Sequence, residues 1–273
     1  MRRQNRNSHR NRLVVLMILL GTLTGSGFFQ GEVLSAVSQD MMEATPEAVE
    51  KGRAVYEESC LYCHGIEGKG DGPAAFFGAS YFSPRPNDFT VGQYKFRSTA
   101  SGQPPTDQDI FRTITNGIPG YMPSFAGLSQ EERWQVVFYL KSLSRSKVER
   151  SDKSLFLGSS PVPPTSESIA KGRQVYFRYE CESCHGKEGR GDVLDLSSVD
   201  LEDSAGLPTR PTDLDFTKLG SFKNGSTARD IFRTLMTGLD GSPMPSFQDA
   251  FAGHETDAWH LVNYIMSIST TRQ

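Results

Sequence analysis

Cys60-Leu61-Tyr62-Cys63-His64 and Cys181-Glu182-Ser183-Cys184-His185 are the two stretches on which the reading of this chain turns. In each, two cysteines three positions apart lie about one helical turn from each other, so both sulfurs can reach the same planar ligand. The histidine that follows can point at that ligand's centre. This is the spacing of covalent c-type haem attachment, with two thiols on the vinyl groups and the imidazole on the iron. Two other uses of Cys-x-x-Cys compete with it. One is a Cys₄ zinc site assembled from Cys60, Cys63, Cys181 and Cys184; the other is a thioredoxin-like redox pair. Neither accounts for the histidines His64 and His185, nor for the Met-Pro that stands about sixty residues beyond each motif.

Those downstream stretches are Gly120-Tyr121-Met122-Pro123-Ser124-Phe125 and Met244-Pro245-Ser246-Phe247. A thioether is a soft iron ligand, and a methionine in a Pro-stiffened loop can be aimed at the open face of a haem. Met122 and Met244 are therefore the expected distal ligands, against the ordinary use of methionine as core filler. Arg85-Pro86-Asn87-Asp88 is matched by Arg210-Pro211-Thr212-Asp213. An arginine fork at a rigid turn suits a haem propionate, so Arg85 and Arg210 join the expected cofactor-binding residues; a surface turn with an Arg–Asp pair is the competing use.

The second half repeats the first with a period of about 121 residues. Lys51-Gly52-Arg53 returns as Lys171-Gly172-Arg173, Asp109-Ile110-Phe111-Arg112-Thr113 as Asp230-Ile231-Phe232-Arg233-Thr234, and Trp134 and Tyr139 as Trp259 and Tyr264. Each copy carries a complete set of cofactor residues, so this is a duplicated domain and not a solenoid. The expected organisation is a signal peptide or anchor over 1–36, a spacer over 37–44, domains over 45–144 and 165–270, and a Pro-rich linker over 145–164. Helix signals place a start at Thr45-Pro46-Glu47, a short helix over 110–116 behind the cap at Thr106, and a C-terminal helix behind the capping box Ser129–Glu132. The stretch 65–105, rich in Gly, Pro and Ser, reads as a long loop that wraps a cofactor.

With these motifs in place, the chain resembles a tandem class I c-type cytochrome over roughly 45–144 and 165–270. The resemblance implies a mainly α fold: two consecutive domains, each of a few helices and long loops packed around one covalent haem, hence two covalently bound haem c groups. It also implies that Gly52 and Tyr56 let the N-terminal helix cross the C-terminal one. Gly70-Asp71-Gly72-Pro73 resembles the family segment whose proline carbonyl accepts the proximal histidine's ring N–H, although the second copy, Gly191-Asp192-Val193-Leu194, has no such proline.

All four cysteines lie in the two motifs, which leaves none for a structural disulfide. Arg2, Arg3, Arg6, Arg10 and Arg12 precede an apolar run from Leu13, the charge pattern of an export signal. An uncleaved anchor over residues 13–29 is the rival reading, interrupted by Gly21, Gly25 and Gly27. The net charge of −3 becomes about −7 once residues 1–36 are set aside. Such a surface disfavours nucleic acid and suits a protein partner with a basic rim. His254 and His260 fit no metal motif and read as surface or half-buried residues; Met236 and Met266 read as core.

With His and Met on opposite faces an iron has no vacant position, and what remains is a one-electron change. The expectation is therefore a non-catalytic di-haem electron carrier, periplasmic or membrane-anchored and facing the periplasm, with protein redox donors and acceptors. An electron-transfer subunit of a larger membrane or molybdenum respiratory oxidoreductase complex is one alternative. A di-haem peroxidase or thiosulfate-oxidising enzyme is another, and it would need an open or cysteine-ligated iron.

Overall fold

The structure, a computed structural model, describes residues 43–77, 85–145, 154–155, 161–192, 201–218 and 220–270. The first helix, α1 (Pro46–Ser59), begins as its sequence requires: the Thr45 hydroxyl accepts from the Ala48 N–H at 3.1 Å, and Pro46 takes the first helical position, where no N–H is needed. α1 runs into α2 (Leu61–His64), a single turn that carries the first motif. Then come α3 (Pro73–Phe77), α4 (Asp107–Asn116) and α5 (Gln130–Ser142). The second half repeats the order with α6 (Ser166–Arg178), α7 (Glu182–His185), α8 (Ala228–Thr237) and α9 (Glu255–Thr270). Among the described residues there is no β-strand, only the isolated bridges Ile118–Met122 and Glu202–Pro208.

In each half the first long helix crosses the last. A β-carbon at Gly52 would stand 2.0 Å from the Gln135 carbonyl oxygen, and one at Gly172 1.9 Å from that of His260, so only glycine permits the approach. Beside each crossing two tyrosines meet ring to ring, Tyr56 with Tyr139 at 5.1 Å and Tyr176 with Tyr264 at 5.3 Å. The first core adds Ile110, Ile114, Val136 and Leu140 to this crossing. The second adds Phe232, Leu235, Trp259 and Val262, with Phe232 and Trp259 stacked at 4.2 Å. The described helices all belong to one compact unit, Met41–Gln273.

Several sequence expectations need adjustment. The stretch 65–105 is not structureless: it holds α3 and a 3₁₀ turn, Phe89–Val91, capped by Asp88. α4 starts three residues before Ile110, because Thr106 and Asp109 cap each other reciprocally. His260 is buried and bonded through Nδ1 to the Ser168 hydroxyl at 2.7 Å, since α9 turns that face onto α6. Met236 is core, as expected. The stretch expected to be a linker touches the first half where it is described, the Leu155 N–H donating to Ser98 O at 2.6 Å. No helix among the described residues is long and apolar enough to cross a membrane; the 13–29 run lies outside them.

Candidate functional site

Each motif is held from behind by a buried tyrosine. The Tyr56 hydroxyl donates to Gly65 O and the Tyr176 hydroxyl to Gly186 O, both at 2.6 Å, which fixes the backbone just after His64 and His185. Cys60 and Cys181 stand as N-caps of α2 and α7, which carry Cys63 with His64 and Cys184 with His185. All four thiols are free of disulfides. Burial pushes the Cys60 thiol up to about 11 and the Cys181 thiol to about 12.

His64 Nδ1 lies 3.3 Å from Asn87 O, and His185 Nδ1 lies 3.0 Å from Thr212 O. The family segment at Pro73 pointed to a different acceptor. In both halves the carbonyl comes instead from the residue after the proline of the repeated Arg-Pro turn. The turn reaches the histidine because Gly70 and Gly191, both at positive φ, leave room for it: a β-carbon at Gly70 would lie 2.2 Å from Pro86 O and one at Gly191 2.7 Å from Pro211 O. The same glycines donate back to the histidine carbonyls, Gly70 to His64 O at 2.9 Å and Gly191 to His185 O at 2.8 Å. Phe89 stacks on the His64 ring at 4.6 Å. Burial holds both imidazoles below the ordinary histidine range, with the bond to the carbonyl acting in the opposite sense. Each ring is thus neutral at pH 7 with Nδ1–H as the donor, and its Nε2 lone pair is left for a metal.

A cavity of about 1190 Å³ runs through both halves, more than the usual 300–1,000 Å³ of a site for one small ligand. Cys60, Cys63 and His64 open onto it from the first half, and Cys181, Cys184 and His185 from the second. Met122 and Met244 line it as well, and so do Arg85 and Arg210. All ten residues singled out in the sequence are therefore gathered on one chamber. Its wall is otherwise largely apolar, with Ile114, Leu140, Leu235 and Ile265 among the contributors. This donor set fits a haem in each half: paired thiols one turn apart, a neutral imidazole with its tautomer fixed, a thioether on the same chamber, and an apolar surround. Among the described residues no three His, Cys, Asp or Glu side chains gather as a cluster that could hold a metal ion, so the four cysteines do not form the Cys₄ arrangement that zinc would need.

The family described as cytochrome c oxidase, cbb3-type, subunit III matches this chain twice, over residues 47–140 and 167–265. The chain belongs to that c-type cytochrome family. It is 24% identical over 266 residues to the cytochrome bc1 complex cytochrome c subunit of Corynebacterium diphtheriae, covering 93% of this chain and 79% of that one. A solved chain from the Kuenenia stuttgartiensis reducing HAO-like protein complex is 41% identical and superposes with a TM-score of 0.71, over 80% of this chain and 96% of that one. Two class I cytochrome c domains in tandem are thus the fold of this member of the family.

Two residues that the sequence reading did not single out as contacts now stand beside the site. Asn87 and Thr212 supply the carbonyls to the histidines, and the signal was available: the Arg-Pro turn and the Gly-Asp pair repeat in both halves, whereas Pro73 does not. Arg97, fully buried, crosses from the first half to Asp240 in the second; no local pattern in the sequence announces a contact over 143 positions.

Proposed function

We propose that this cytochrome carries two covalently bound haem c groups and passes single electrons between protein partners outside the cytoplasm, as a non-catalytic subunit of a larger respiratory complex. One observation carries the reading: two matched motifs, each with its histidine tied to a carbonyl, open onto one shared chamber. Cys60 and Cys63 would hold one group and Cys181 and Cys184 the other. His64 and His185 would ligate iron through Nε2, their Nδ1–H donating to Asn87 O and Thr212 O. Such a bond raises ligand basicity and fixes the plane of the ring. Met122 and Met244, which line the same chamber, would hold the irons through their thioether sulfurs, and a thioether would favour the ferrous state relative to a second histidine. Arg85 and Arg210, at the chamber's edge, would take the propionates. When bound, haem iron supplies the one-electron change; the chain supplies ligands, orientation and a largely apolar surround.

The choice of a complex subunit over a free carrier is supported by the names of the two relatives, each assigned to a complex. An extracytoplasmic location is supported by the basic, then apolar, residues 1–36. Protein made where c-type maturation operates should show two haem additions by intact mass, reversible one-electron titration of both haems and little carbon monoxide binding when reduced. Stoichiometric carbon monoxide binding by the wild type would move the enzyme reading ahead. N-terminal sequencing separates cleavage near Ala36 from an intact anchor, and co-purification from native membranes separates subunit from carrier.

A further inference from the structure

The two methionine loops are not built alike. In the first half, Ile118 and Met122 exchange both backbone bonds, Ile118 N–H to Met122 O at 2.8 Å and Met122 N–H to Ile118 O at 2.9 Å. That loop closes on itself. The second loop, Leu239–Met244, is one residue longer, and only the Leu239 N–H to Met244 O bond, 3.0 Å, joins its ends; the Met244 N–H turns to the Ser242 hydroxyl at 3.4 Å. The extra length carries the loop out to the first half, where it is gripped. Arg97 Nη2 donates at 2.7 Å both to Thr237 O, at the end of α8, and to the Asp240 carboxylate. The Ser101 hydroxyl donates to the same carboxylate oxygen at 2.7 Å, and the Gly102 N–H to the other oxygen at 2.8 Å. Arg97 is itself wholly buried and further fixed by Ala100 O at 3.2 Å.

We propose that Arg97 is a positioning residue for the opposite half: through Thr237 and Asp240 it holds the loop that presents Met244, so that ligation in the second domain depends on a side chain of the first. A buried charge with several satisfied donors is costly to disturb and admits few alternative geometries, which suits it to fixing a loop that lacks its second backbone rung. The proposal rests on Met244 being an iron ligand, and the test separates the two claims.

The full-length holoprotein is compared as wild type, Met122→Ala, Met244→Ala, Arg97→Ala and the doubles Arg97→Ala/Met122→Ala and Arg97→Ala/Met244→Ala, by carbon monoxide binding to the reduced form and by potentiometric titration. Met244→Ala should open one haem; if it does not, the ligation reading fails and the proposal falls with it. Given that opening, Arg97→Ala should admit carbon monoxide at up to half the haem and lower the potential of that haem alone. The double with Met122→Ala should admit it at both haems, and the double with Met244→Ala no more than Met244→Ala itself, as expected when two changes act on one site. Wild-type behaviour of Arg97→Ala, or opening of both haems by Arg97→Ala alone, overturns the proposal and leaves the ligation reading standing. If Arg97→Ala does not fold, Arg97→Lys and Asp240→Asn carry the same measurement: a partial gain confined to one haem supports the strut, and wild-type binding in both overturns it.

Discussion

Gly52 lies against Gln135 so closely that a β-carbon would come within 2.0 Å of the Gln135 carbonyl oxygen, and Gly172 stands in the same relation to His260 at 1.9 Å. The obstacle in each case is backbone, which cannot swing aside. Gly52→Ala and Gly172→Ala should each force the crossing helices apart and destabilise their own half by about 2 kcal/mol or more, the upper range of overpacking costs. Gly127→Ala is the control, because nothing stands within 4 Å of its β-carbon; it should stay within about 0.5 kcal/mol of wild type. Denaturant midpoints followed by far-UV circular dichroism decide it, and equal midpoints for Gly52→Ala and Gly127→Ala would refute the close-crossing account.

Tyr56 makes a pH-dependent prediction. Burial lifts its phenol above the ordinary tyrosine value of about 10, so above that pH the folded chain keeps a proton that the unfolded chain releases. A group raised in this way contributes stability that is complete below pH ~10 and is lost as pH rises toward the folded-state value. Tyr56→Phe should therefore flatten the alkaline fall in stability. At neutral pH it should cost about 1 kcal/mol, for the lost bond to Gly65 O. Unfolding free energies at pH 7 and in steps above pH 10 provide the check; an unchanged alkaline slope would mean that Tyr56 ionises freely in the folded state.

The caps at Thr106 and Ser129 and the duplicated motif were legible because each is a local pattern, Ser or Thr three residues before an acid and Cys-x-x-Cys-His, whereas the crossing at Gly52 followed from the resemblance to class I cytochromes c. What was not legible was the partner of each histidine ring. Pro73 lies close to the motif in sequence, yet the carbonyl comes from Asn87, 23 positions away, because Gly70 lets the Arg-Pro turn fold back beneath His64. Arg97 and Asp240 show the same limit more strongly, since their pairing depends on how two domains dock and not on either local pattern.

Asn87 offers a test of that correction. Its side-chain amide donates to Gln93 O at 3.0 Å, which holds the turn whose carbonyl faces His64. Asn87→Ala leaves the carbonyl in place chemically but frees it to move. The first haem's potential should rise by about 20–60 mV, because a less basic imidazole stabilises the oxidised iron less; this is the one-electron equivalent of a hydrogen bond worth roughly 0.5–1.5 kcal/mol. The second haem, whose histidine meets Thr212 O, should not respond. Potentiometric titration that resolves the two haems reads both values, and an equal shift in both would count against a local effect.

The shared chamber leads to the last prediction. Because one cavity of about 1190 Å³ joins the two motifs, each haem would form part of the other's surroundings. Replacing Cys181 and Cys184 by Ser should remove one haem from the intact mass while leaving the first half its own core around Tyr56, Ile110 and Val136. Water should then enter the vacated side. An oxidised iron carries more charge than a reduced one and gains more from water, so the remaining haem should fall in potential and not rise. The reciprocal Cys60 and Cys63 replacement should lower the second haem in the same way. Two separate pockets would give a different result: one haem lost by mass, with the survivor titrating at its wild-type potential.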